Sequence, residues 1–272
     1  MLVHIRFSLP AILLNRLKSQ INALSEYAGN PSEFLSYFKE ILIKISSQES
    51  VLGDYVGIKS FYKQYHLTPS ANLTIIETLK SLAALKPIAY FEIAKEMLES
   101  EYLDDHDYAI QLLGFLFRMN VENVYEFMMG SLLMEEDKFL HHRWVQEIIS
   151  STINHKQTEL WETVECWISS NEENKVKNAI LITRSMIQGE EFENLPKIFH
   201  ILEPLFLETH TSTSNEIFSL IHTLGKYFET ETVSFIKSII QKGISQNQQR
   251  FIRRAISPFS ENAQNSIRKA ME

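Results

Sequence analysis

Five segments of the chain share one pattern and recur at nearly constant spacing. Each has an apolar first helix, a polar turn and a second helix with its own apolar stripe, and the five begin at positions 91, 125, 161, 199 and 233. Successive starts therefore lie 34, 36, 38 and 34 residues apart. Helix pairs at this period cannot bury their apolar faces alone and must stack on their neighbours. The spacing predicts an all-α fold, an α-solenoid built from antiparallel helix pairs.

The clearest of these helix pairs lies in the middle of the chain, between positions 161 and 187. Apolar side chains recur three or four residues apart on each side of a polar turn at positions 169–174, which contains neither Gly nor Pro. This spacing places them on one face of each helix: Trp161, Val164, Trp167 and Ile168 before the turn, and Val176, Ala179, Ile180 and Ile187 after it. On the first of these helices, Cys166 is predicted to be a buried small hydrophobe.

The domain organisation follows from the repeats and from the scarcity of Gly and Pro, the residues that interrupt helices and form turns. With only 8 Gly and 7 Pro, the chain favours helices joined by short connections. The period lies between tetratricopeptide and HEAT lengths, and the aromatic-Gly-aromatic pattern of the former is missing. We therefore expect one right-handed HEAT-like domain, with N-terminal helices in 1–86, five helix pairs in 87–260 and a tail or helix in 261–272. Helices are predicted over about 7–28 and 31–48, beginning at Pro31 in the second case, and from Thr68-Pro69-Ser70 to about Leu85.

The net charge and the cysteine content limit which classes of protein the chain can belong to. The net charge of −8 divides into −6 for residues 1–150 and −2 for residues 151–272, so neither half is basic. This counts against a strong nonspecific binder of polyanions, although a local basic stripe is compatible with it. The single cysteine excludes an intramolecular disulfide and indicates a reducing compartment. No apolar stretch reaches the length of a membrane span, and we expect a soluble, cytoplasmic protein without a cofactor.

Four short motifs make the chain resemble the DNA alkylation repair (AlkD-like) family, whose members are HEAT-like solenoids that hold duplex DNA in a concave surface. The motifs are loose, and they run through most of residues 50–256. They are Gly57-Ile58-Lys59, the segment IAKEMLESEYLDDHDYAIQLLGFL, Trp144 followed by Trp167-Ile168-Ser169-Ser170 and Ala179, and the pair IFSLIHTLGKYF and RFIRRAI. The resemblance implies the solenoid fold and DNA as a partner.

The chain departs from this family at the positions that carry its chemistry. In the family, the central Trp is followed four residues later by an Asp that supports removal of a cationic alkylated base, and here Trp144 is followed by Ile148. Glu147 is the nearest carboxylate, but it points about 100° away on a helix. The family's second DNA-facing Trp falls on His222, its next Arg on Gly225, and its Arg before the central Ala on Asn178. The fold is therefore expected to carry over better than the activity.

The candidate site residues each have a structural alternative. Trp144 lies either in a binding cleft or, as is commoner for a Trp among apolar neighbours on a repeat helix, in the core. The dense basic cluster near position 250 either holds phosphates or is a solvated face. Asp104-Asp105-His106-Asp107 lacks the spacing of a metal loop and is predicted to cap a helix, and we expect no metal site. The candidates for DNA or partner binding are Lys175, Lys177, Arg184, Lys226, Arg250, Arg253 and Arg254.

Two functions follow as hypotheses. The first is a non-catalytic binding module that holds duplex DNA or a protein partner in the concave face formed by its second helices. The second is a divergent alkylpurine DNA glycosylase acting in base excision repair, with Trp144, Glu147 or His222 standing in for the missing catalytic residues. Whether the protein is an enzyme is open at this point, and so are its ligand and oligomeric state.

Overall fold

The protein is helical throughout the part of the chain that the structure describes. A computed structural model describes residues 10–49, 60–152, 157–170, 172–189, 194–207 and 213–272. These residues form fourteen α-helices and one short 3-10 helix, and they contain no β-strand beyond an isolated bridge between Lys63 and Tyr102. The all-α class predicted from the sequence is therefore confirmed. The chain divides into two compact units, Met1–His155 (unit 1) and Lys156–Glu272 (unit 2).

Unit 1 arranges its helices in two layers. The packing of α1 on α3, α3 on α5 and α5 on α7 forms one layer, and α2 packs on α4 in the other. Large side chains such as Phe34, Tyr90 and Trp144 are fully buried between the helices. The helices are α1 Ala11–Ala23, the 3-10 helix Leu24–Tyr27, α2 Pro31–Glu49, α3 Pro69–Ala83, α4 Pro87–Met97, α5 Leu103–Arg118, α6 Val124–Met134 and α7 Lys138–Thr152.

Unit 2 repeats the same scheme. One layer is formed by α9, α11 and α13, each packed on the next, and the other by α8, α10, α12 and α14. Three of the predicted repeat segments, those starting at 161, 199 and 233, contribute one helix to each of these layers. The helices are α8 Gln157–Ile168, α9 Glu173–Ile187, α10 Leu195–Leu207, α11 Ser214–Tyr227, α12 Glu229–Gln241, α13 Gln246–Ala255 and α14 Glu261–Ala270.

Helices α2 and α3 begin where the sequence predicts them, and α13 has a further local cap. Helix α2 begins at Pro31, where the missing N–H of proline is harmless. The Thr68 side chain accepts a hydrogen bond from the backbone N–H of Ala71 and caps α3. At α13, Ser245 and Gln248 form a reciprocal capping box. The first predicted helix is shorter than expected, because α1 ends at Ala23 and a 3-10 turn follows.

Two local predictions are wrong. Asp104 and Asp105 do not cap α5, whose N-cap is Tyr102; both lie in its first turn. Their carboxylates are used in tertiary contacts instead, where Asp104 accepts the backbone N–H of Tyr65 at 2.9 Å. Cys166 is exposed rather than buried. It is about 100° around α8 from its neighbour Trp167, whose ring is buried as predicted.

Other expectations fall outside the part that the structure describes, or remain predictions. The motif Gly57-Ile58-Lys59 lies outside the described residues, as does Asn171 in the central turn. The apolar stripes on either side of that turn are buried on α8 and α9, as predicted. Among the described helices, none is long and apolar enough to cross a membrane.

Candidate functional site

Trp144 is a core residue of unit 1. Only 1% of its surface is exposed, and its neighbours Val145 and Ile148 on α7 are equally buried. This placement leaves the indole almost no surface on which a nucleobase could stack. Ile148, at the position of the family's catalytic Asp, faces the same core. The packing interpretation of Trp144 therefore accounts for its environment, and a catalytic role remains a prediction.

Glu147 is held in a polar contact between α7 and α5. Its side chain is 13% exposed, and its Oε1 lies 3.3 Å from Nη1 of Arg118. The same Arg118 nitrogen donates to the hydroxyl of Ser151 at 3.0 Å. This carboxylate is thus charge-paired and largely covered by protein. Such an arrangement joins two helices, and it does not present a free carboxylate to a ligand.

His222 lies on α11 in unit 2, whereas Trp144 and Glu147 belong to unit 1. Its side chain is exposed, one helical turn before Lys226 on the same side of the helix. Its surroundings are therefore basic and open to solvent. The position suits a contact with an anionic ligand.

The two other departures from the family have packing reasons. A Cβ on Gly225 would lie 2.3 Å from the ring of Phe259, so a larger residue at 225 requires that ring to move. Asn178 is buried on α9, and its amide donates to the carbonyl oxygen of Asn174 at 2.9 Å. Neither position has room for the arginine that the family carries there.

The structure brings the seven predicted basic residues onto one layer of unit 2. Because α9 packs on α11 and α11 on α13, their helices are consecutive members of that layer. Lys177 and Arg184 are seven residues apart and share a side of α9, whereas Lys175 points to the opposite side. We call the following residues the basic surface: Lys177, Arg184, His222, Lys226, Arg250, Arg253 and Arg254.

Most cations of the basic surface have no carboxylate partner. Lys177 pairs with Glu173 on its own helix, and Lys175, outside the surface, pairs with Glu172 at 2.5 Å. Within the described residues, no ion pair is formed by the other five cations, which are Arg184, Lys226, Arg250, Arg253 and Arg254. Unpaired guanidinium groups keep their donors available for an anionic ligand.

An aromatic stack supports Arg254 and was not predicted from the sequence. The Arg254 guanidinium lies 4.8 Å from the centroid of the Phe218 ring. Phe218 in turn stacks on Phe251, with centroids 4.6 Å apart and planes inclined by 20°. A stacked arginine is positioned by the ring while its edge donors stay free for phosphate. No sequence signal pairs Phe218 with Arg254, which are 36 residues apart.

Unit 1 also carries cations on its α3–α5–α7 layer, and the two arginines among them are paired with carboxylates. Nε of Arg143 lies 2.6 Å from Oδ1 of Asp107, and Arg118 forms an ion pair with Glu147. Burial lowers the pKa of Lys80, and the charges of Arg118 and Arg143 act in the same direction, while Glu147 opposes them. The two arginines of this layer are therefore neutralised by carboxylates of α5 and α7.

The acidic segment at positions 104–107 does not form a cluster of metal ligands in the part of the chain described. No group of three or more His, Cys, Asp or Glu side chains is arranged there to hold an ion. The sequence Asp104-Asp105-His106-Asp107 instead serves packing, since His106 Nε2 lies 2.8 Å from the carbonyl oxygen of Ser100.

No family model and no curated protein matches the chain. Among solved structures, the chain is similar to the crystal structure of an engineered protein, which is 12% identical over 95% of this chain and 96% of that one, with a TM-score of 0.28. At that TM-score the similarity carries no argument about architecture or function. The function is therefore argued from the chain's own geometry.

Proposed function

We propose that the chain is a HEAT-like α-solenoid that acts as a binding module for duplex DNA, contacting it through the basic surface. The layered packing of alternate helices in each unit supports the solenoid, because stacked helix pairs produce this contact pattern. In such an array the second helices of the pairs form the ligand-binding face. The basic surface lies on α9, α11 and α13, which are second helices of three predicted pairs.

The observation that carries this proposal is the set of five unpaired cations on neighbouring helices. Lysine and arginine that already pair with carboxylates gain little from a phosphate, whereas unpaired ones gain the full interaction and release counterions from the DNA. The described residues of α13 contribute three arginines and no acid. Arg254, held over Phe218, is a pre-oriented phosphate ligand.

The expected binding is sequence-independent and moderate in affinity. Phosphate contacts position a protein on DNA but carry no sequence information. The net charge of −8 weakens long-range attraction, so affinity depends on the local surface. We place this activity in the cytoplasm, in keeping with the single cysteine of the chain.

The test is a titration of the purified protein with a short fluorescein-labelled duplex at several salt concentrations, followed by anisotropy. The variant Arg250→Gln/Arg253→Gln removes two exposed cations that have no ion-pair partner in the described residues. Each phosphate contact contributes about 0.9 to the slope of log affinity against log salt, so the slope should fall by about 2.

A matched control removes the same charge from the other layer. Arg268→Gln/Lys269→Gln changes two exposed cations on α14, which packs on α12. This control should keep the wild-type slope, because its positions lie outside the basic surface. An equal decrease of the slope in both variants would mean that net charge alone explains the effect. Absence of binding at low salt would reject DNA in favour of a protein partner.

A further inference from the structure

A large cleft opens in unit 1, and no residue of the basic surface is among those that line it. It has a volume of about 1010 Å³ and is lined by residues of α4 and the turn after it, of α6, of the segment at positions 61 and 62 and of the turn at 135–137. Pro31, His106 and Trp144 also border it. Small-molecule sites typically enclose about 300–1,000 Å³. This cleft lies at the upper end of that range, and its dimensions suit a short stretch of polypeptide.

Apolar side chains are exposed at the cleft although burial would stabilise them. Phe61 is 87% exposed and Met134 is 84% exposed. Phe127 also lines the cleft, with its ring edge-on to Phe91 at a centroid distance of 5.7 Å. Exposed aromatic and methionine side chains at a concave surface are typical of protein-binding sites, because their contact with a partner removes apolar area from water.

The remaining lining is strongly acidic. Seven carboxylates and a single lysine line the cleft, and that lysine, Lys95, is already paired with Glu92 at 2.6 Å. Some of the carboxylates have structural roles: Asp137 accepts the hydroxyl of Ser60, and Glu96 accepts that of Ser32. In the described part of the chain, the side chains of three exposed members have neither an ion pair nor a hydrogen bond: Glu99, Glu126 and Glu136.

Several of these carboxylates lie close enough to Tyr62 to raise its pKa together. Burial raises the pKa of the Tyr62 hydroxyl, and the negative charges of Glu135, Asp137, Glu136 and Glu99 raise it further, in that order. These carboxylates come from the turn that follows α4 and from the turn at 135–137 after α6, which are far apart in sequence. Their fields add inside the cleft and favour a cationic occupant.

We propose that this cleft binds a lysine- or arginine-rich segment of a partner protein that also carries an apolar side chain. The cations of the segment meet Glu99, Glu126 and Glu136, and its apolar side chain packs on Phe61 and Met134. DNA is repelled by the same carboxylates. This binding site lies in unit 1 and is independent of the proposed DNA contact in unit 2.

Gly130 offers a direct way to block the cleft. It lies on the exposed side of α6 in the cleft lining, and a Cβ added there meets nothing within 4 Å. Gly130→Leu therefore adds an apolar side chain at the cleft, and its Cβ meets no clash. Gly29→Leu is a matched control, because an added Cβ at Gly29 also meets nothing within 4 Å and Gly29 does not line the cleft.

The experiment measures anisotropy of a short fluorescein-labelled peptide built of lysine, arginine and leucine, with the full-length protein. We expect salt-sensitive binding that weakens about tenfold in Glu99→Gln/Glu126→Gln/Glu136→Gln and in Gly130→Leu. The charge-matched control Glu40→Gln/Glu162→Gln/Glu231→Gln alters three exposed acids outside the cleft and should bind as wild type does. Circular dichroism and the melting temperature of each variant establish that it is folded.

Several outcomes overturn the proposal. Absence of peptide binding at low salt does so directly, as does equal binding by the cleft variants and their controls. Equal binding of a peptide in which leucine is replaced by serine removes the apolar contact from the proposal. Dimerisation that is lost in Gly130→Leu assigns the cleft to a second copy of this chain and rejects a separate partner. None of these results depends on whether the basic surface binds DNA.

Discussion

A Cβ on Gly114 of α5 would lie 1.9 Å from Oε1 of Glu147 on α7. The glutamate therefore occupies the space that any other residue at position 114 would fill. Its ion pair with Arg118 depends on that space, since Arg118 lies one turn further along α5. The absence of a side chain at position 114 is what allows the α5–α7 contact to include a carboxylate.

Gly114→Ala should destabilise the protein, by about 1–3 kcal/mol for overpacking, offset by about 1 kcal/mol from the higher helix propensity of alanine. Urea unfolding followed by tryptophan fluorescence measures the change. Gly130→Ala is the matched control, because it adds the same methyl group on a neighbouring helix with nothing within 4 Å, and it should stabilise by about 0.5–1 kcal/mol. In the background Glu147→Ala, the cost of Gly114→Ala should vanish. A persistent cost there would show that the conflict lies elsewhere.

Gly225→Ala should destabilise unit 2 by about 1–3 kcal/mol, because the added Cβ would lie 2.3 Å from the Phe259 ring. Replacing Gly225 by arginine, the residue that the AlkD-like family carries, should cost more. The measurement is the melting temperature of each variant, beside the same changes made in Phe259→Leu. If arginine at 225 is tolerated without any loss, the packing explanation for this departure is wrong.

Asp105→Asn should stabilise the protein at neutral pH. Burial raises the pKa of Asp105 from 3.8 to about 6, although hydrogen bonds from Ser100 and Tyr65 and the charge of Lys39 oppose this. Because the folded state holds the proton more tightly than the unfolded chain, the contribution of this group is complete below about pH 4 and lost as pH rises through about 6. The gain at pH 7 is at most about 3 kcal/mol, at about 1.36 kcal/mol per pH unit.

Unfolding free energies of wild type and Asp105→Asn, measured from pH 4 to pH 8, check this expectation. The two curves should converge at the acidic end, diverge between about pH 4 and pH 6, and keep a constant separation above about pH 6. Other carboxylates titrate in both proteins and cancel in the difference. Parallel curves across the range would mean that Asp105 does not change its protonation on folding.

Wild-type protein should release no methylated purine from alkylated duplex DNA above background. Trp144 is buried and Glu147 is paired with Arg118, so neither is placed to stabilise a cationic base. A base-release assay beside binding to a duplex with an abasic-site analogue tests this. Release that is lost in Trp144→Phe/Glu147→Gln would instead support the glycosylase hypothesis.

Features set by a few consecutive residues were predictable from the sequence. The first backbone N–H groups of a helix have no acceptor within the helix. Proline has no N–H, so α2 can begin at Pro31, and the Thr68 side chain supplies an acceptor at the start of α3. The apolar stripes around Trp161 and Val176 are buried for the same local reason of spacing. The dense arginines near position 250 are likewise visible in the sequence, and their role in binding stays a prediction.

Features that need the third dimension were not predictable. Whether Arg250 has a carboxylate partner depends on which helices pack beside α13, and no sequence pattern contains that information. The pairing of Arg254 with Phe218 and the acidic cleft have the same origin. The single domain and its continuous repeat array remain predictions, since each compact unit is known by itself.

Asp137 gives unit 1 a mechanical link at the edge of the cleft. Its Oδ2 accepts the hydroxyl of Ser60 at 2.7 Å and the backbone N–H of Phe61 at 3.3 Å. Its Oδ1 accepts the backbone N–H groups of residues 139 and 140 in the first turn of α7, at 2.9 and 3.1 Å. The Asp137 carboxylate therefore joins two parts of unit 1 through hydrogen bonds. One is the segment that contains Phe61, and the other is α7, the helix that contains Trp144. Neither can shift alone without giving up hydrogen bonds, so a displacement at the rim is transmitted to the start of α7.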